Sequence, residues 1–252
     1  HCFLYELDSY LASDPGRDFV RYMDDIDIGV DTIVDAKRAL KTVDLVLQTK
    51  QVRLNSGKTV ILTRSESIRH FRIFENAGLD SVRASVDHRV KHGLPLDLQR
   101  VHVEARIRQG LRKKSFDAGN GEKVLKRWLG LAAKTGAVVK PEVLEDLIKR
   151  RPSVRENVYS FIRSRPLTPS IAGILARASQ SGLLVDDAAM VEMSNYLVET
   201  FVKNKRCHAM LEAVIASNDP QSYFGLYSRL WLLSKYWTPA QILTTLRDAR
   251  YI

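Results

Sequence analysis

The chain has 252 residues, 45% of them hydrophobic and 27% charged, enough apolar content for one large folded domain or two smaller ones and against disorder. No apolar run approaches the roughly 20 residues of a membrane span, and Cys2 and Cys207, far apart and without CxxC or Cys/His spacing, indicate neither a disulfide framework nor a structural metal, so a reducing cytoplasm fits. The formal net charge of +10 is concentrated: residues 1–88 carry −2, residues 89–165 carry +11 and residues 166–252 carry +1. Neutralising a polyanion with such a block releases counterions, which points to nucleic acid as the partner; a solvated basic face is the alternative.

The sequence opens on His1 without a charged-then-apolar leader, and we expect it to be a trimmed piece of something longer. From Phe19 to Val30 the even positions read Val20, Tyr22, Asp24, Ile26, Ile28 and Val30, and the odd ones Arg21, Met23, Asp25, Asp27 and Gly29. That is strand periodicity with acids at its centre. Asp31 can cap a following helix whose Ile33, Ala36, Leu40, Val43 and Leu47 recur at three and four. Val52 and Leu54 read as extended, Asn55-Ser56-Gly57 as a turn, and Val60-Ile61-Leu62 as a second short β-branched run.

Beyond Thr63 the pattern changes to amphipathic helices separated by short Gly, Pro, Ser or Asp breaks, predicted at 65–77 and 80–92 (stopped by Gly78 and Gly93), 96–114, 121–134, 141–150, 153–164, 169–181, 186–203, 206–217, 221–235 and 239–249. Pro141, Pro169 and Pro239 each fall at a first helical position, where the missing donor costs little. Short turns between such helices imply antiparallel packing, either a HEAT-like stack or a compact bundle. The fold class is therefore α+β: a small fragment with a β-hairpin and helix over 1–64, then all-α regions over 65–135 and 136–252.

Asp24 and Asp25 are adjacent carboxylates flanked by apolar strand residues and expected at a hairpin tip, an arrangement that is costly unless a divalent cation or a cationic partner neutralises it, a hard metal being the economical answer. Asp25, Asp27 and Gly29 miss the spacing of an EF-hand loop. Tyr22-Met23-Asp24-Asp25, preceded by Phe19-Val20-Arg21, resembles the YxDD motif of reverse transcriptases. Leu54-Asn55-Ser56-Gly57-Lys58-Thr59-Val60-Ile61 is similar to the LNxxKT segment that follows the palm helix in that family, at the expected separation of one helix and a turn. Phe3-Leu4-Tyr5-Glu6-Leu7-Asp8 also looks like the family's segment before the aspartate hairpin. Two motifs in order are more specific than either alone, and the resemblance covers residues 1 to about 65, extending weakly into thumb-like helices.

The resemblance implies a C-terminal palm fragment (1–64), a thumb (65–135) and a helical C-terminal domain (136–252). It implies DNA synthesis from dNTPs, with Asp24 and Asp25 holding Mg²⁺ (or Mn²⁺) in a two-metal scheme. Tyr22 and Met23 would line the floor beneath the primer terminus or else belong to the core. Lys58 would sit near the incoming triphosphate and give a proton to pyrophosphate, or be an exposed lysine after a turn. The helical tail is most like bacterial abortive-infection and defence-associated enzymes, with retron and group II intron enzymes as competitors. The family's further catalytic aspartate and its fingers lie upstream, so the chain alone is expected to be inactive and to need them from the same polypeptide or a partner; a homo-oligomer is compatible.

Arg106, Arg108, Arg112, Lys113 and Lys114 fall on one predicted helix and its end, and Lys123, Lys126 and Arg127 open the next beside Trp128. Phosphate contacts are the natural use of these cations. Trp128 belongs to the core or stacks on a base. Lys149-Arg150-Arg151 and Lys203, Lys205 and Arg206 lie at helix ends, where cations complement the dipole. His88 and His92 are one lone pair of candidate ligands, and Gly119-Asn120-Gly121 reads as a turn. The alternative function is a non-catalytic, nucleic-acid-binding helical scaffold.

Overall fold

The computed structural model describes residues 4–13, 18–184, 186–200, 205–218 and 222–248. Cys2, Phe3 and Lys203 lie outside the described residues, as do the side chains of Lys205, Arg206 and Cys207. The chain divides into two units, residues 1–67 and 68–252.

The first unit opens with helix α1 (Tyr5–Ala12), which buries Leu7 and Leu11 one turn apart. Strands β1 (Phe19–Tyr22) and β2 (Asp25–Ile28) then form an antiparallel hairpin, with Phe19 opposite Ile28, Val20 opposite Asp27, Arg21 opposite Ile26 and Tyr22 opposite Asp25. Helix α2 (Ile33–Thr49) follows and buries Ala36, Ala39, Val43 and Leu47. Phe19, Ile26, Ile28 and Leu54 pack against Leu7, Leu11, Val43 and Leu47, so one face of the hairpin is the roof of a small core. The other face presents Val20, Tyr22, Asp25 and Asp27 to solvent.

Three expectations change here. The predicted run of even positions is not one series: the turn at Met23-Asp24 reverses the phase, so even residues of β1 and odd residues of β2 share the exposed face. Thr32, not Asp31, caps α2, its hydroxyl accepting from Asp35 N at 3.1 Å. Val52, Leu54 and Val60-Ile61-Leu62 form no strand among the described residues, because extended backbone needs a hydrogen-bonded neighbour and the only sheet there is the two-stranded hairpin.

The helices continue as α3 (Arg64–His70), α4 (Ile73–Lys91), α5 (Asp97–Arg112), α6 (Gly121–Thr135) and α7 (Pro141–Arg150). After a 3₁₀ turn (Pro152–Val154) come α8 (Arg155–Arg163), α9 (Pro169–Ser179), α10 (Asp187–Glu199), α11 (Lys205–Ser217), α12 (Tyr223–Tyr236) and α13 (Pro239–Asp248). Pro141, Pro169 and Pro239 are each a first helical residue, as predicted. Gly78, expected to end a helix, sits exposed inside α4, since an interior glycine weakens a helix by only about 1 kcal/mol and a neighbouring layer can hold it. The break falls instead at Arg72, whose φ is 53°. Its guanidinium donates to the carbonyls of Ser115 (2.5 Å) and Ala118 (3.1 Å), which fixes the chain reversal against the α5–α6 loop.

Within the second unit most helices pack on the one two places further along, while α5 packs chiefly on α6 and α13 on α12. In one row α4 meets α6, α6 meets α8, α8 meets α10 and α10 meets α12; in the other α7 meets α9 and α9 meets α11. Between the rows lies one apolar cluster that runs from Leu79 of α4 to Leu233 of α12 and continues on both sides of residue 135. No helix among the described residues is long and apolar enough to cross a membrane.

Candidate functional site

The acid pair sits at the tip of the hairpin. Met23 and Asp24 are the two-residue turn, with Met23 at φ 57°, the left-handed conformation that tight hairpin turns demand. Asp25 opens β2 directly opposite Tyr22, and Asp24 and Asp25 are both exposed. Tyr22 is 76% and Met23 62% exposed, so neither belongs to the core. Asp27 lies on the same exposed face, opposite Val20.

Arg21, which sequence reasoning noted only as a motif residue, holds this tip in place. It is the one cation on the inward face of β1, and its Nε and Nη2 grip both carboxylate oxygens of Asp8 on α1, the Nε contact at 2.6 Å. Its Nη1 donates to the carbonyl of Met23 at 2.6 Å. The hydrogen bonds from Arg21 hold the Asp8 carboxyl below the usual carboxylate range, against a smaller upward push from burial. The signal that could have found it is Phe19, an apolar residue two positions earlier and so on the same face of the strand.

Lys58 is exposed in the turn predicted for Asn55-Ser56-Gly57. Asn55 builds that turn: its side chain accepts from Gly57 N at 3.1 Å, and its carbonyl accepts from Lys58 N and Thr59 N, both at 2.9 Å. The donor set at the tip suits a hard divalent cation, since exposed carboxylate oxygens are what Mg²⁺ takes. Among the described residues, however, no three Asp, Glu, His or Cys side chains converge as a metal site. His88 and His92 do come together, with ring centroids 4.5 Å apart, but gather no third ligand there.

The basic residues of the second unit separate into two sets. Arg127 is committed to structure: it pairs with Asp80 and donates to Asn76 Oδ1 at 2.5 Å, tying α6 to α4. Lys149, Arg150 and Arg151 likewise pair with Glu145, Asp146 and Asp117. By contrast Arg106, Arg108, Arg112, Lys113, Lys114 and Lys123 are exposed, and Lys126 is half-buried. None of these seven forms an ion pair among the described residues.

The helical period divides them further. Arg106 and Lys113 share a stripe with His102 and Gln109 that borders a groove, whereas Arg108 and Arg112, one turn apart, point away from the buried stripe of Val103, Ile107 and Gly110. Trp128 is 6% exposed and joins the core, yet it is also among the residues lining that groove.

Comparison with known families, characterised proteins and solved structures returns no match.

Proposed function

We propose that this chain is the carboxy-terminal part of a reverse-transcriptase-type polymerase, in which Asp24 and Asp25 carry the metal chemistry. The observation behind this reading is the presentation of two adjacent carboxylates at an exposed, Arg21-clamped hairpin tip, in a segment that resembles the YxDD motif. Asp24 and Asp25 would hold Mg²⁺ or Mn²⁺, which when bound activates the primer hydroxyl and steadies the departing pyrophosphate. Tyr22 and Met23, both solvent-facing, are free to meet the primer terminus. Lys58 is accessible to an incoming dNTP.

In this reading residues 1–64 are the end of the palm, 65–135 the thumb and 136–252 a HEAT-like helical domain, a description supported by the alternating helix rows. The unpaired cations of α5, α6 and the loop between them take the phosphates of RNA or DNA. The third acid and the fingers come from upstream in the same polypeptide or from a partner chain. The helical tail favours a cytoplasmic role in bacterial anti-phage defence over retron or group II intron functions.

Primer extension tests the proposal. A polypeptide that includes the upstream aspartate and fingers should incorporate dNTPs with Mg²⁺, Asp24→Asn with Asp25→Asn should abolish synthesis, and the 252-residue chain alone should give none. Robust synthesis by the chain alone would contradict the need for an external acid.

A second reading, a non-catalytic nucleic-acid-binding scaffold, draws on the seven unpaired cations and on the lack of a three-ligand metal site among the described residues. In that case the Asp24 and Asp25 substitutions leave both binding and phenotype intact. Replacing Arg112, Lys113 and Lys114 by alanine weakens binding and flattens its salt dependence under either reading.

A further inference from the structure

Helices α4, α5 and α6 enclose a groove of ≈ 370 Å³, within the size range of small-ligand pockets, about 300–1,000 Å³. Its chemistry is divided. Trp128 supplies an apolar wall, with the His102 ring 6.1 Å away, and Phe74 from the first turn of α4 stands at the mouth, 74% exposed. Arg106 and Lys113 border it as cations without a carboxylate partner among the described residues. Deeper in, Arg72 donates to Glu75 at 3.1 Å and to two carbonyls of the α5–α6 loop, so the only carboxylate in the lining is already neutralised. Arg72 Nε is buried and has no partner among the described residues.

The groove cannot easily be a packing defect waiting to close. Phe116 forms part of its wall, and its ring lies over Gly110, where an added Cβ would come within 2.2 Å of the ring. The backbone of Phe116 in turn crosses Gly121 so closely that a Cβ there would meet it at 2.7 Å. Two glycines thus seat one wall of the groove rigidly against α5 and α6.

A ligand that satisfies both halves of this chemistry has a flat apolar ring and an adjacent phosphate. Aromatic side chains beside a cationic track are how single-stranded nucleic acids are held without sequence reading, because every base has a face to stack. A duplex keeps its bases paired and stacked and cannot offer one to such a groove.

We propose that the α4–α5–α6 groove is a single-nucleotide subsite, which takes one base of a single strand against Phe74 and Trp128 while Arg106 and Lys113 hold the flanking phosphates. It rests on the nucleic-acid reading of the basic helices but not on catalysis at Asp24 and Asp25.

Fluorescence anisotropy of a labelled 12-nucleotide single strand, as oligo-dT and as oligo-rA, tests it with the 252-residue chain between 50 and 200 mM NaCl. Phe74→Ala, at an exposed position, should weaken binding about tenfold at every salt concentration and leave the salt slope unchanged. Phe74→Tyr, which keeps a ring, should retain wild-type affinity. Arg106→Ala with Lys113→Ala should weaken binding and reduce the salt slope by about 1.4, two phosphate contacts on a single strand. Displacement of the strand by millimolar free dTMP would identify the mononucleotide as sufficient, and the absence of displacement would identify the strand as the ligand; either supports the subsite. Wild-type affinity in Phe74→Ala, or equal affinity for a blunt duplex, overturns the subsite while leaving the basic helices as a general binding surface. No binding of either strand by the wild-type chain overturns both.

Discussion

Asp8 and Arg21 show how much of the candidate metal site is settled by a side chain outside it. A two-residue turn leaves Asp24 free to splay away from Asp25, and the Arg21 fork fixes the turn by holding the Met23 carbonyl while anchored to α1. Asp8 has its pKa lowered on folding, chiefly by the hydrogen bonds from Arg21. A carboxylate of this kind stabilises the fold above its unfolded value, about 3.9, and that contribution disappears as pH falls through the folded value. Hydrogen-exchange protection of the β1–β2 amides, corrected for intrinsic rates, should therefore drop below about pH 4 in the wild type. Arg21→Met, which keeps the apolar stem, should lower protection at neutral pH and remove that acid-dependent step. A pH profile identical to wild type in the variant would show that the clamp does not support the hairpin.

At the scale of elements, helix positions followed from periodicity and punctuation, and departures occurred where a contact outside the helix overruled a local signal. Gly78 signals a stop, but the chain turns at Arg72 because the α5–α6 loop offers carbonyls to its guanidinium. Gly130 and Gly110, both helical, should respond in opposite directions to alanine. Gly130 is exposed in α6 with open space around an added Cβ, so Gly130→Ala should stabilise by about 0.5–1 kcal/mol through backbone entropy alone. Gly110→Ala must displace the Phe116 ring and should cost about 1–3 kcal/mol. Urea denaturation of the two variants measures both, and the same sign for both would show that this packing is misjudged.

Across the whole second unit the helix rows make stability a chain of neighbouring contacts, and Arg155, at the start of α8, ties that helix to α7 and to the cap of α10. Buried at 3% side-chain exposure, it donates from Nε to the Ile148 carbonyl of α7 at 2.8 Å and from Nη1 to both oxygens of Asp186 at 2.9 and 2.7 Å. Asp186 also caps α10 through Ala189 N at 2.8 Å. Burial pushes the Asp186 carboxyl up, but the bonds from Arg155 and Ala189 outweigh it and hold the group below its usual range. Arg155→Ala leaves the Ile148 carbonyl without its donor and the part-buried Asp186 carboxylate without its cation, with only Ala189 N still donating to it, and should cost about 2–3 kcal/mol given that Asp186 is half-exposed. Arg155→Lys, with the charge but not the fork, should fall between it and wild type. Thermal unfolding reads both, and an unchanged midpoint for alanine would mean that the rows do not depend on this tie.

The amino-acid sequence by itself located the hairpin, α2 and the later helices, though not α1, because apolar residues at intervals of two or of three and four dictate which face can leave water. It also placed Asp24 and Asp25 at a hairpin tip, and the excess positive charge on α5 and α6. Only the tertiary structure decided which cations are free: Arg127 and Arg151 are consumed by carboxylates distant in sequence, while Arg106 and Lys113 are left facing a groove. It alone paired Arg21 with Asp8, and it alone denied strands to residues 52–62. The reason is the same in each case: hydrogen-bond and ion-pair partners are set by proximity in space, and periodicity along the chain carries no record of which distant residue will arrive.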